Sequence, residues 1–127
     1  MSQLSWWFAP HPDWEPGEDW DQEVPVVRCE TDSEVALVDP FLPPDGSFNP
    51  NGKPVHVLLT QPAHYRGTTD FVVGYGASVW VPPQAAWRKR PNPATRDDLP
   101  PGVEAIALDG EPQQVVFFFA EHATLVT

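Results

Sequence analysis

A chain of 127 residues with 41% hydrophobic residues and 6 Trp can bury one real core, and it is too apolar to remain unfolded. Its formal charge of −11 excludes phosphate backbones and anionic lipid surfaces as natural partners, because both repel an acidic protein. The 17 Pro residues exclude long helices and predict many corners between short elements, since each Pro fixes φ and removes a backbone donor.

The charge is lopsided. Asp13, Glu15, Glu18, Asp19, Asp21, Glu23, Glu30, Asp32 and Glu34 precede position 35, against one base, Arg28. Arg88, Lys89, Arg90 and Arg96 form a small basic island that reads as a solvated loop. Cys29 is the sole cysteine, so it has no partner for an internal disulfide; its apolar neighbours predict a buried thiol. The first residues have no basic region ahead of an apolar core, as a signal peptide would. The longest apolar run, Val115 to Ala120, is too short to span a bilayer. A cytoplasmic location is the expectation.

In chain order, Leu4 to Phe8 reads as a strand ended by Pro10 and Pro12. Asp13 to Glu23 has no sustained period and is expected to be a loop whose Trp14 and Trp20 dock onto the core. Pro25 to Glu30 and Glu34 to Asp39 are short strands joined by a turn at Thr31-Asp32-Ser33. Pro40 to Pro54 holds five Pro with Asp45-Gly46 and Asn51-Gly52, which makes it a loop. Val55 to Thr60 reads as a strand buried on both faces. A short helix over Thr69 to Tyr75 follows, with Gly76 as its stop. Ser78 to Val81 is the next strand, closed by Pro82-Pro83, and Gln84 to Lys89 has room for one or two helical turns. Glu104 to Leu108, Gln114 to Phe119 and Ala123 to Thr127 complete the strands as an antiparallel meander. Strand, helix, strand in the middle predicts a βαβ crossover with parallel pairing. The fold class is α/β (α+β): a mixed sheet with one or two short helices.

These pieces carry a resemblance. Ala36-Leu37-Val38-Asp39-Pro40 looks like an early strand that ends in Asp beside an active site. Val57-Leu58-Leu59-Thr60, a loop, a short helix and Gly76-Ala77-Ser78-Val79-Trp80 look like the central strand, metal loop, helix and strand of one fold. Val115-Val116-Phe117-Phe118-Phe119 followed by Glu121-His122-Ala123-Thr124-Leu125-Val126 looks like a later hairpin of that fold. Pro10-His11-Pro12-Asp13-Trp14 is similar to a branch whose metal loop is often degenerate. Together they resemble the metallo-β-lactamase fold superfamily, over nearly the whole chain. The resemblance implies a partial αββα sandwich, the N-terminal half or more of a truncated domain, and a hydrolase-like ancestry.

It also implies a zinc loop after Thr60, and there the sequence departs. The family's ligand positions hold Gln61, Ala63, Tyr65 and Arg66. Ala63 has no donor atom, and Arg66 is a permanent cation where a dication should sit. His64 falls at a position the family does not use for metal. The family's third His has no counterpart near Asp109-Gly110-Glu111, and its Gly-Asp pair does not follow Thr127. No metal cofactor and no metal-dependent hydrolysis are expected. For residual chemistry the candidate groups are Asp39, His64 and His122.

Other constellations are weaker. His11, His56, His64 and His122 match no recognised metal spacing, and satisfied or exposed histidines are the plainer reading. No nucleophile elbow surrounds a Ser, and Gly74-Tyr75-Gly76 at a helix end is a backbone stop and not a phosphate loop. A sharper expectation concerns the former metal pocket. Arg66, His64 and the backbone of Thr68 and Thr69, at the opening of a helix, are candidates to bind a small anion. The plainer alternative pairs Arg66 with a carboxylate such as Asp39. Trp6, Trp7, Trp14 and Trp20 read as core area in preference to a ligand groove. The functional expectation is a degenerate, non-hydrolytic member of the family. The alternative is a non-catalytic small-anion-binding or protein-interaction domain, dimerising through an exposed strand edge or meeting a basic partner with its acidic surface. A truncated reading frame without independent function is a third expectation.

Overall fold

The computed structural model describes residues 2–82 and 99–127. The basic island and the helical turn expected over 84–89 lie outside those residues. Eight strands and one α-helix are described, so the chain is a mixed α/β protein made mostly of strands.

The strands are β1 (Gln3–Pro10), β2 (Glu23–Glu30), β3 (Val35–Val38), β4 (Val55–Leu58), β5 (Ser78–Trp80), β6 (Val103–Leu108), β7 (Glu111–Phe119) and β8 (Thr124–Val126). The helix α1 spans Thr68–Tyr75. A five-stranded sheet runs in the order β1-β2-β3-β4-β5, and a three-stranded sheet in the order β6-β7-β8. The first three strands pair antiparallel, while β3, β4 and β5 pair parallel. The expected βαβ unit is therefore β4-α1-β5, and the expected meander is the second sheet.

Local chemistry explains the corners. The hydroxyl of Thr31 accepts the main-chain N–H of Ser33 and of Glu34, which turns the chain from β2 into β3. The helix ends at Gly76, whose φ of 64° is left-handed and whose N–H reaches back to Val72 and Phe71. Tyr65 is buried against α1, its hydroxyl 2.9 Å from Oγ1 of Thr69.

Strand alternation distributes the core. Val35, Leu37, Val55, Val57, Leu59 and Val79 face α1, Phe48 and Phe71. Phe48 lies edge-on to Phe71 at 5.2 Å and to Tyr75 at 4.9 Å. On the other face Cys29, Ala36, Val38, Leu58 and Trp80 pack against Val115, Phe117, Phe119 and Val126 of the second sheet. The central strands are thus covered on both sides, which is why β3 is a continuous apolar run and β4 departs from one only at His56, whose Nε2 is 2.7 Å from Glu34 Oε2. Cys29 is buried as expected, and burial, chiefly, pushes its thiol pKa up.

Two expectations about tryptophan fail. Trp7 does pack on the helix-side core, and its indole N–H donates to the Phe41 carbonyl at 3.0 Å. Trp6, however, is 63% exposed on the edge strand, and Trp20 is exposed as well. The loop between β1 and β2 closes on itself, because Trp14 Nε1 donates to the Trp20 carbonyl and Trp20 Nε1 donates to Glu18.

Candidate functional site

Asp39 follows β3 directly and Thr60 lies two residues past β4, at the carboxyl ends of two parallel strands, where open α/β sheets place their ligands. The N–H of Asp39 continues the ladder to the Leu58 carbonyl at 3.0 Å. Its carboxylate is buried and carries three bonds. Oδ1 accepts the Thr60 N–H at 2.8 Å, and Oδ2 accepts the Thr60 hydroxyl at 2.6 Å. His64 Nδ1 stands 2.9 Å from the same Oδ2. A carboxylate only accepts, so the Nδ1–H form of the ring follows, and Nε2 is the ring nitrogen left over. The His64 side chain is 31% exposed against 3% for Asp39, so the imidazole bridges the sealed carboxylate and solvent.

Arg66 enters from the same loop, just ahead of α1. Its Nη1 donates to the main-chain carbonyl of Asp39 at 3.0 Å, and its guanidinium lies over the Phe41 ring, 5.8 Å from the centroid. The expected ion pair with a carboxylate takes a different form, since the Asp39 oxygens are already committed to Thr60 and His64. Nε of Arg66 is sealed from solvent without a hydrogen-bond partner. Burial pushes the Arg66 pKa below its ordinary value, and the charge of Asp39 opposes that shift.

Backbone strain concentrates here. Among the described residues, the non-glycine residues with left-handed φ are Asp39 (47°), Asn51 (55°), Arg66 (48°) and Ala123 (48°). Asp39 and Arg66 are bonded to each other through the carbonyl just described. Such conformations cost roughly 1 kcal/mol or more each and persist where surroundings impose them. Gly67 explains how the two segments come so close. Its N–H donates to the Pro40 carbonyl at 2.9 Å, and a Cβ there would stand 3.2 Å from both Pro40 O and Phe41 Cα.

The structure brings Asp39, His64 and Arg66 together, and it separates His122 from them. His122 follows β7, and its Nε2 is 2.7 Å from the Ser2 hydroxyl, beside the start of β1. Register puts the start of β1 next to the end of β2 and the start of β3, the far end of the sheet from Asp39. His122 therefore stands apart from Asp39 and His64. Thr68 leaves the anion set as well: its N–H and its hydroxyl both donate to the Tyr65 carbonyl, at 3.1 and 2.5 Å. Thr69 is exposed on the first turn of α1, its hydroxyl paired with Tyr65.

Sequence reasoning used Thr60 only to align the loop and missed it as the main partner of Asp39. It also missed Phe41, the platform under Arg66, and His11, which lies edge-on to Phe41 at 5.2 Å and to Trp20 at 5.1 Å. The Pro40-Phe41 step after a strand-ending Asp was the signal available. At the far end, an open cleft of about 410 Å³ is lined by Ser2, Gln3, Glu30, Thr31, Asp32 and Lys53. There Lys53 donates to Glu30 at 2.7 Å and to the Thr31 carbonyl at 2.8 Å, and this tie fastens the loop before β4 to the end of β2.

The donor set at Asp39 does not suit a divalent ion. In the loop beside it Ala63 has no donor atom and Arg66 is a cation, Tyr65 is turned into the core, and both Asp39 oxygens already accept hydrogen bonds. Among the described residues no group of three His, Cys, Asp or Glu is placed to hold one. No described helix is long and apolar enough to cross a membrane. No protein-family model, curated protein or solved structure matches the chain.

Proposed function

We propose that this chain is a degenerate metallo-β-lactamase-like domain whose former metal pocket is an anion-binding site built from Arg66 and His64. The carrying observation is the left-handed pair Asp39 and Arg66, joined through the Asp39 carbonyl, which fixes a guanidinium beside a histidine at the carboxyl ends of parallel strands. Both Asp39 carboxylate oxygens are turned to Thr60 and His64, so Arg66 is held through the Asp39 carbonyl and not by a direct ion pair that would occupy its guanidinium. The ligand class is a small carboxylate, phosphate or sulfate, met by the guanidinium edge, by His64 Nε2 and by the exposed first turn of α1 at Thr69. Metal-dependent hydrolysis is not part of this reading, and a cytoplasmic setting is.

Isothermal titration with phosphate, sulfate and acetate tests it. Arg66→Ala is expected to weaken binding by roughly tenfold or more, the loss of one charge-assisted bond. An Arg66→Ala protein that binds as well as the wild type removes the reading.

One observation favours a second reading. Among the described residues, Nε2 of His64 has no hydrogen-bond partner while Asp39 orients Nδ1. That dyad is suited to general-base work on a bound water or hydroxyl. Hydrolysis of 4-nitrophenyl acetate that collapses in His64→Gln would support it, and a rate equal to that of the variant would dismiss it.

A further inference from the structure

The five-stranded sheet has an open edge at β1. β1 is the outer strand of that sheet, eight residues long, with β2 on one side and no described strand on the other. Its backbone groups on the open side are a template for a further strand. Natural edges are normally blunted with Lys, a central Pro or a bulge. β1 has only Pro10, at its end, and its pairing with β2 runs unbroken from Gln3↔Glu30 to Pro10↔Glu23.

The side chains beside this edge are apolar and uncovered. Leu4 packs on the core shared with the second sheet, whereas Trp6 and Phe8 on the same face lie beyond that cover, 63% and 51% exposed. Their cross-strand partners are Val27 and Pro25, so the patch is continuous over β1 and β2. Past Pro10, the loop into β2 exposes Asp13, Glu15, Glu18, Asp19 and Asp21, and the first residue of β2, Glu23, is exposed beside them. Among the described residues none of these six carboxylates is in an ion pair.

We infer that β1 docks an extended basic segment of a partner protein by adding it as a sixth strand. Main-chain bonds to β1 supply the register. Arg or Lys side chains on one face of the incoming strand lie over Trp6 and Phe8, and their charges meet the acidic loop. Charge decides the occupant. A second copy of this chain would bring its own acidic loop and a net charge of −11 to the same edge, and like charges oppose that pairing. This inference stands on different residues from the anion site and does not need it.

The test is binding of a capped peptide of about nine residues alternating Arg and Val, followed by intrinsic Trp fluorescence and by amide hydrogen exchange of β1. Saturable binding is expected, with slowed exchange at the β1 amides and an affinity that falls steeply as salt rises. A Trp6→Ala, Phe8→Ser double variant is expected to lose about tenfold in affinity, and Asp19→Lys with Asp21→Lys a similar factor. Both sets of positions are exposed, so these variants are expected to melt with the wild type, and an Arg66→Ala protein should bind the peptide normally. Three results would overturn the inference: equal binding of a matched peptide with Glu in place of Arg, no change in β1 exchange on saturation, or sedimentation showing that the free chain is already a dimer broken by Trp6→Ala.

Discussion

Asp39→Asn probes the buried carboxylate without disturbing the chain around it. Asn tolerates a left-handed φ about as well as Asp, so the 47° at this position is kept, whereas Ala would add backbone strain. The amide has one oxygen where the carboxylate has two. If that oxygen takes the place of Oδ1, it keeps the Thr60 N–H at 2.8 Å, and the NH2 group then faces the Thr60 hydroxyl and His64 Nδ1. Both can adapt, the hydroxyl by rotating and the ring by changing tautomer, so the contacts survive as neutral bonds. Charged hydrogen bonds contribute about 1.5–3 kcal/mol against about 0.5–1.5 for neutral ones, a difference of about 1–1.5 each, so three of them lose about 3–4 kcal/mol together. Urea unfolding at neutral pH, followed by Trp fluorescence, should show that loss as a lower midpoint with an unchanged slope. A double-mutant cycle of Asp39→Asn with His64→Gln should return a coupling of about 1 kcal/mol or more. If Asp39→Asn unfolds within about 0.5 kcal/mol of wild type, or the two changes are additive, the site is not held together as described.

Further outcomes follow from the same contacts. Gly67→Ala places a Cβ 3.2 Å from Pro40 O and Phe41 Cα, both backbone, so the loop must retreat. A loss of about 1–2 kcal/mol in urea is expected, together with weaker anion binding as Arg66 leaves the Asp39 carbonyl. Glu30 is bound by Lys53, Asn51 and Arg28, and those bonds lower its pKa from 4.5 to about 2. A depressed folded pKa means the contribution is complete above the unfolded value and is lost as pH falls through the folded one. The urea midpoint of the wild type should therefore drop between pH 4.5 and about 2 more steeply than that of Glu30→Gln, and parallel curves would contradict the pairing.

Much of the fold was legible because it is written in local chemistry. The apolar runs of β3 and β4, the helix closed by Gly76 and the Thr31 turn each carry their own signal, so the βαβ crossover followed in order. The site was legible in part. Asp39, His64 and Arg66 were nominated by their place in the chain, and the structure gathers them. What failed depended on partners that sequence order does not state. Arg66 binds a main-chain carbonyl, which has no residue signature. His122 is separated by strand register, since a turn can close either end of a sheet. Trp6 and Trp20 look like core by type but sit where the second sheet ends and where an acidic loop folds on itself. A period of 2 places a side chain on a face without saying whether that face is covered.

The central claim is that Arg66, not a metal ion, supplies the positive charge of this pocket. Tag-free protein dialysed against zinc chloride and then against zinc-free buffer tests it by elemental analysis. The expected content is far below one equivalent per chain, with anion affinity unchanged by a chelator. About one equivalent of zinc, retained by the wild type and lost on Asp39→Asn or His64→Gln, would contradict it.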